Sequence, residues 1–316
     1  MNELPSGGSH FEEQDFLHVT EAVVEPKIAL LIDPDSEIRE NLSRILAYPQ
    51  WRIQIASDNA AALALKATRF DLVVTAKRSS GKNDVELLRE IKGFHPHAKV
   101  IILTDESTPQ DALDAMRLGA FSYFSKPIYL PALGQMVRDA IDGACLEDGI
   151  EVQSANLHSM KFVLRCDVIS AERLLQFVNE VADLPDQEKT IVASALRELL
   201  MNAIEYGGNF DPQRHVEMSY LRTRRAVACR IKDPGEGFSL HEIPHAAVMN
   251  PPDDPLRHLT VREAENRRPG GYGVLLARKA VDQLIYNEKG NEVLLIKYID
   301  QEGHAHAPAS SAHTTV

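Results

Sequence analysis

The sequence predicts an α/β protein built from two unlike halves: a five-stranded, parallel, doubly wound domain over residues 27–148, then an α/β sandwich over residues 149–300. Three observations predict this. A chain of 316 residues, 44% hydrophobic, is long enough for about two domains of ordinary size, each with its own core. From residue 27 to residue 143 short apolar runs alternate with amphipathic ones, the rhythm of strands joined by crossover helices in a parallel sheet. After Gly143 helices come first and strands later, which implies helices covering one face of a mixed sheet.

Taken in order, residues 1–26 are polar and acidic and are expected to form a disordered leader. The strand candidates of the first half are IALLID, RIQIAS, DLVVTA, KVIILT and AFSYFS. Helical segments sit between them. In DSEIRENLSRILAY, Ile38, Leu42 and Ile45 share one face, and Asp35 or Ser36 can cap the start. In the second half MKFVLRCDV reads as an exposed-edge strand. AERLLQFVNEVADL and DQEKTIVASALRELLMNAIEYGGN read as two consecutive helices, and EMSYLRT with AVACRIKD as a strand pair. A region rich in Pro and Gly follows, then a helix over residues 272–284 and a last strand, NEVLLIKYI. Residues 301–316 are expected to be a disordered tail, whose His304, His306 and His313 read as solvated side chains and not as metal ligands.

Charge and cysteine content narrow the partners. With 34 basic against 46 acidic side chains the net charge is -12, which opposes the phosphate backbone that supplies most nucleic-acid affinity. Nucleic acid is therefore disfavoured. Cys145, Cys166 and Cys229 are odd in number and lack CxxC spacing, which suggests reduced thiols buried as small hydrophobes. The N-terminus has no basic-then-apolar signal pattern, and no apolar run approaches the roughly 18 residues of a membrane span. A cytoplasmic protein without a membrane partner is expected.

The runs IALLIDPDSEIRE, DLVVTA, VIILTDE and GAFSYFSKP resemble the flavodoxin-like receiver domain of two-component response regulators, over about residues 27–143. In that family two adjacent acids after the first strand hold Mg²⁺, an Asp at the end of the third strand accepts phosphate, and a Thr/Ser and a Lys read the phosphorylated state. Position by position, Asp33 is the first acid, Pro34 replaces the second, Ala76 replaces the acceptor, and Thr104, Tyr123 and Lys126 match. Mg²⁺ needs oxygen ligands and phosphoryl transfer an oxygen nucleophile; an alanine methyl supplies neither. Asp35 offers one substitute metal contact, and Thr75 or Ser79 a hydroxyl, but the expectation is a receiver that takes no phosphate. Lys126 is then expected to form an ordinary ion pair with Asp33. The fold would serve as an interaction surface, either for self-association into a homodimer through its last helix and strand or for docking a partner.

Chemistry in the second half concentrates in ALRELLMNAIEYGGN, KDPGEGF and RRPGGYGVLLAR. Glu198 and Asn202 are four apart, so on a helix they lie one above the other, and Glu205 continues the stripe. A carboxylate and a carboxamide on a mostly buried helix need partners. Asp233 closes a strand and is followed by Gly235 and Gly237, which let backbone approach a ligand. Such an Asp can accept a hydrogen bond from an exocyclic amine, although DPGEGF equally suits an ordinary turn. Gly270, Gly271 and Gly273 lead into the helix VLLARKAVDQL, whose N-terminal amides and dipole favour phosphate. The three segments in this order point together to a nucleotide site.

That order resembles the Bergerat-type fold shared by gyrase, heat-shock chaperone, histidine kinase and mismatch-repair ATPases. The compact form ELLMNAIEYG…DPGEGF…GGYGVLLAR is most similar to the anti-sigma-factor serine kinases, over about residues 157–300. The resemblance implies ATP and Mg²⁺ as cofactors. Asn202 would hold Mg²⁺ with the triphosphate, and Asp233 would read adenine. Gly235, Gly237, Gly271 and Gly273 would line the base and phosphates, and Glu198 would be the general base. It also implies partners: a phosphorylatable antagonist protein and a sigma factor. The stretch between Phe238 and Gly270 reads as a lid over ATP, with Arg262, Arg267 and Arg268 as candidate phosphate contacts. An ATP-gated protein-binding module without phosphoryl transfer is the competing reading. A histidine autokinase fits poorly, since no helical hairpin with a phosphoacceptor His separates the halves and His241 falls in the lid.

Overall fold

The computed structural model of the chain describes residues 26–64, 67–75, 81–142, 149–237, 251, 253–264 and 272–299. Its first sheet has five parallel strands, β1 (Lys27–Ile32), β2 (Trp51–Ala56), β3 (Leu72–Thr75), β4 (Lys99–Thr104) and β5 (Ser122–Ser125), in the order β2-β1-β3-β4-β5. Helices α1 (Ser36–Ile45), α2 (Asn59–Ala64), α3 (Gly81–Phe94) and α4 (Pro109–Arg117) connect them, and α5 (Leu130–Asp142) follows. The central strands read as unbroken apolar runs because helices cover both faces. Alternate residues feed two separate cores: Leu30, Ile32, Val73, Val100 and Ile102 face one side, and Ala29, Leu31, Leu72, Val74, Ile101 and Leu103 the other. Local signals set the helix starts. Asp35 accepts the Ile38 N–H at 2.8 Å to cap α1, and Thr108 with Asp111 forms a capping box ahead of Pro109 on α4.

The second sheet runs β10-β11-β9-β8-β7-β6, with β6 (Ile150–Asn156), β7 (Ser159–Arg165), β8 (His215–Arg222), β9 (Ala226–Lys232), β10 (Gln283–Tyr286) and β11 (Glu292–Tyr298). Every pairing is antiparallel, so the expected mixed sheet is corrected. The cause is the pair of helices between β7 and β8, α6 (Val168–Val181) and α7 (Asp186–Asn202): two helices in succession return the chain to the end it left. Their apolar faces, with Leu174, Phe177, Leu196 and Leu199, pack on one face of the sheet against Phe162, Met218, Tyr220 and Ile231. The segment MKFVLRCDV holds β7, which is internal; the edge strand on that side is β6, whose alternation is too polar to read as a strand. The helix expected over residues 272–284 is also shorter. It ends as α9 (Gly273–Ala280), where Val281 turns extended, and the remainder forms β10, which places Leu284 and Tyr286 against the core. A further helix, α8 (Arg257–Ala264), lies within the stretch read as a lid.

Helix α6 joins the two halves. Arg173, Gln176 and Glu180 lie on one face of α6 and face Phe121, just before β5, and Tyr123 and Ser125 within it. Arg173 donates to the Phe121 carbonyl at 2.9 Å and its guanidinium stacks on the Phe121 ring at 4.3 Å; Gln176 donates to the Tyr123 carbonyl at 2.9 Å; the Ser125 hydroxyl donates to Glu180 at 2.6 Å. No helix among the described residues is long and apolar enough to cross a membrane.

Candidate functional site

Helix α7 buries Leu196, Leu199 and Leu200 against the sheet and leaves Glu198 and Asn202 half-buried on another face. Beyond Asn202 the helix widens into a π turn, Ala203–Gly207, closed by Gly208 N–H to the Ala203 carbonyl at 2.9 Å. Widened turns of this kind concentrate at functional sites. Here the widening ends on Gly207, where a Cβ would stand 2.3 Å from Asp233 Oδ1 and 2.4 Å from Asp233 Cβ. Only a glycine lets the end of this helix lie on that aspartate. Gly235 is held equally close, since its Cβ would meet Asp233 Oδ1 at 2.7 Å and the Gly207 Cα at 3.0 Å. At the other end of the stripe, a Cβ on Gly273 would meet Glu198 Oε2 at 2.3 Å and Asn202 Nδ2 at 3.6 Å. Three segments distant in sequence therefore converge: the α7 stripe, the turn after β9 and the start of α9.

Of the residues singled out from sequence, the structure brings Glu198, Asn202, Asp233, Gly235 and Gly273 into this region. Gly237 has φ +85°, and its Cβ would overlap the Lys289 carbonyl at 1.9 Å, so its glycine serves the approach of the β10–β11 turn. Glu205 is exposed, because the π turn breaks the 3.6-residue stripe. Gly270, Gly271, Arg267, Arg268 and His241, and the Arg262 side chain, lie outside the described residues, as do Cys145 and the tail histidines. Sequence reasoning passed over Gly207, Arg214, Lys289 and Asn291. The only signal for the last two was a turn-forming run, NEKGN, which reads as a plain hairpin.

Asp233 is half-buried, and burial raises its carboxyl pKa, an effect opposed by the Gly235 N–H and by the positive charges of Arg214 and Lys289. Oδ1 accepts the Gly235 N–H at 2.7 Å. Nearby, burial pushes the Tyr286 phenol up to about 12, with the Asp233 charge adding to it. Helix α9 starts at Tyr272, whose side chain makes no cap hydrogen bond, and the amides of a helix's first turn have no partner within the helix. The Tyr272 ring meets His258 of α8 edge-on, centroids 4.4 Å apart, which seats α8 at the head of α9. Among the described residues no group of three His, Cys, Asp or Glu side chains could hold a metal. A divalent ion here would take Asn202 together with oxygens brought by a ligand, the usual position of Mg²⁺ on a phosphorylated substrate.

The end of the first sheet is arranged differently. Asp33 follows β1 with φ +46°, and Asp35 is committed to capping α1. Lys126 does not pair with Asp33 as expected: its Nζ lies 2.8 Å from Asp105 and 4.0 Å from Asp35. Asp105 directly follows β4 and so stands nearest the end of β5, which carries the lysine. Thr104 is buried and donates to the Glu106 carbonyl at 3.0 Å, and the buried Tyr123 shares a 2.8 Å hydrogen bond with Ser107. Ala76 and Ser79, just beyond β3, lie outside the described residues.

A parallel five-stranded domain with Thr104 and Lys126 at its strand ends, joined to a helix-covered antiparallel sheet on which these three segments converge, defines a receiver-plus-nucleotide-fold protein. More particularly, residues 29–138 are a response regulator receiver domain and residues 165–297 a histidine kinase-like ATPase domain. Transcriptional regulatory protein GlrR of Escherichia coli is 31% identical over 118 residues, 37% of this chain and 27% of that protein. The E. coli regulator NtrC is 34% identical over 115 residues, 36% of this chain and 24% of its own length. The chain thus matches about a quarter of the length of these relatives. A solved receiver domain protein from Clostridium thermocellum shares 32% identity, covering 37% of this chain and 94% of that one, with a TM-score of 0.30.

Proposed function

We propose that the chain is a bacterial cytoplasmic signalling regulator whose second domain binds Mg-ATP and phosphorylates a partner protein on serine. The resemblance to anti-sigma-factor serine kinases implies an antagonist-type substrate and a sigma factor as partners. The receiver, with alanine at position 76, serves protein–protein contacts and takes no phosphate. The observation that supports the reading is the close approach of Gly273 to Glu198 and Asn202 and of Gly207 and Gly235 to Asp233, which brings a carboxylate, a carboxamide, the start of α9 and the Asp233 turn into one region.

These residues fit the nucleotide. Asp233 Oδ2 suits a purine exocyclic amine, while the Gly207 and Gly235 backbone, lacking Cβ atoms, forms a flat wall beside it. Asn202 offers a neutral oxygen to Mg²⁺, and the first amides of α9 face the phosphates' charge. When bound, Mg-ATP supplies a phosphoanhydride with its charge partly neutralised. Glu198 accepts the proton of the serine hydroxyl, and His258 with Tyr272 fixes the head of α9 beside it.

The test uses [γ-³²P]ATP and a candidate antagonist protein captured with ATP present. Wild type is expected to label it on serine; Glu198→Gln is expected to bind Mg-ATP normally and to label at least about 10²-fold more slowly. Capture by wild type without any label sinks the kinase reading and leaves the ATP-gated binding module. For the receiver, a small phosphodonor with Mg²⁺ is expected to leave the intact mass of the Glu198→Gln protein unchanged. A phosphate mapped to residues 27–142 overturns that half of the proposal.

A further inference from the structure

The turn that carries Asp233 is held from outside at every carbonyl. Asn291 Nδ2 donates to the Asp233 carbonyl at 3.4 Å, Arg214 Nη2 to the Pro234 carbonyl at 2.6 Å, and Lys289 Nζ and Asn291 Nδ2 to the Gly235 carbonyl at 3.3 and 3.5 Å. The Asp233 N–H donates to the Asn291 carbonyl at 2.9 Å, and the Gly235 N–H is taken by Asp233 Oδ1. Asn291 is itself 8% exposed and cannot present its amide the other way round, because its Oδ1 accepts Asn287 Nδ2 at 3.0 Å. Asn287 Oδ1 in turn accepts the Gly290 and Glu292 N–H groups at 2.7 and 3.2 Å, which closes the β10–β11 turn. A short exposed turn needs none of this to stay folded; ordinary turns leave such carbonyls to water.

The geometry points to Arg214 and Asn291 as specificity-determining positioning residues, which hold the Asp233–Pro234–Gly235 turn in the one sense that offers a hydrogen-bond acceptor to a 6-amino purine. This rests on the nucleotide reading above. A 6-oxo purine brings an acceptor where a 6-amino purine brings a donor. To receive it, the turn would have to rotate a peptide and present an N–H. That rotation is opposed at once by Arg214 on Pro234 and by the commitment of the Gly235 N–H to Asp233. A site built to pair with one polar group rejects the analogue lacking it, because the buried partner is left unsatisfied. Freed from its clamp, the turn can adapt to either base. Neither Arg214 nor Asn291 need touch the nucleotide.

The test measures Mg-ATP and Mg-GTP dissociation constants by calorimetry on the full chain, for wild type, Arg214→Ala, Arg214→Lys and Asn291→Asp. Asn291→Asp keeps the shape but removes the donor, and Arg214→Lys keeps a donor to Pro234. Wild type is expected to prefer ATP. Arg214→Ala and Asn291→Asp are expected to cut the ATP-over-GTP preference at least tenfold, with Arg214→Lys restoring most of it and the triphosphate-only competitor, inorganic tripolyphosphate, binding all four proteins alike. If both nucleotides weaken together at constant ratio, the clamp is merely structural and the inference fails while ATP binding stands. If wild type binds neither nucleotide, the functional reading fails with it.

Discussion

Gly207→Ala tests the convergence at its tightest point. The new methyl carbon would stand 2.3 Å from Asp233 Oδ1 and 2.4 Å from Asp233 Cβ and Cγ, where carbon contacts normally settle at about 3.5–4.0 Å. More than about 1 Å must be recovered. Rotation of the Asp233 side chain cannot supply it, because Asp233 Cβ is one of the clashing atoms and the backbone around it is tied to Asn291. The turn or the π segment must shift, at an overpacking cost of about 1–3 kcal/mol. The shift carries the carboxylate out of reach of a bound base. Losing a hydrogen bond to a charged group costs about 1.5–3 kcal/mol, which weakens Mg-ATP binding about 10- to 150-fold. Calorimetry gives the affinity and differential scanning calorimetry the stability. A dissociation constant within about twofold of wild type would show that the end of α7 and the Asp233 turn do not share a site, and the reasoning from close approach would be refuted.

Gly273→Ala makes the complementary case: its Cβ would overlap only the mobile end of Glu198, at 2.3 Å, with Asn202 Nδ2 in ordinary contact at 3.6 Å, on a helix that favours alanine. Mg-ATP affinity and melting temperature are expected to stay near wild type while serine transfer falls about 10²-fold from the displaced carboxylate, and an unchanged transfer rate refutes it. At the domain junction, burial raises the pKa of Glu180 despite the Ser125 hydroxyl and Gln176 amide that bond it. A carboxyl with its folded pKa raised favours the fold most below the unfolded value and loses that contribution as pH rises through the folded one. Glu180→Gln removes the buried charge, keeps an acceptor oxygen for Gln176 and turns its NH2 as a donor to the Ser125 hydroxyl, which then accepts, so thermal melts should show it at least as stable as wild type at pH 7 and the difference shrinking at pH 4; a lower melting temperature at pH 7 contradicts the sign.

The first domain was legible almost to the residue because its physics is local. Central parallel strands must be apolar on both faces, and IALLI, LVVT and VIILT announce themselves without help from the rest of the chain. In the second domain legibility stops where long-range packing decides. β6, with Glu151, Gln153 and Ser154 in seven residues, is a strand only because β7 pairs with it, and DQLIY changes from helix to strand because β11 offers an edge. The candidate site divides along the same line. Glu198, Asn202 and Asp233 carry chemistry that residue type and spacing expose. Arg214 and Asn291 act through their positions against a turn far away in sequence, and no local pattern marks them. Lys126 misled for the opposite reason: three acids lie near the strand ends, and only the fold determines that Asp105 is the nearest.

The contact between β5 and α6 limits what the receiver's surface can do. β5 is the outermost strand of its sheet, and an edge strand leaves alternate carbonyls unpaired unless something covers them. Side chains three apart on a helix rise about 4.5 Å, and residues two apart on a strand about 6.6 Å. Long Arg173 and Gln176 side chains bridge that mismatch to reach residues 121 and 123 in step, and Glu180, one helical turn on, meets Ser125. An extended partner therefore cannot add to this edge without displacing α6. The same helix pairs Glu172 with Arg197 on α7, the residue beside Glu198. Neighbouring residues of α6 thus contact the receiver on one side and α7 on the other. Self-association through the last strand of the receiver would have to displace α6, which also contacts α7, so such a dimer is expected to disturb the helix that carries Glu198 and Asn202.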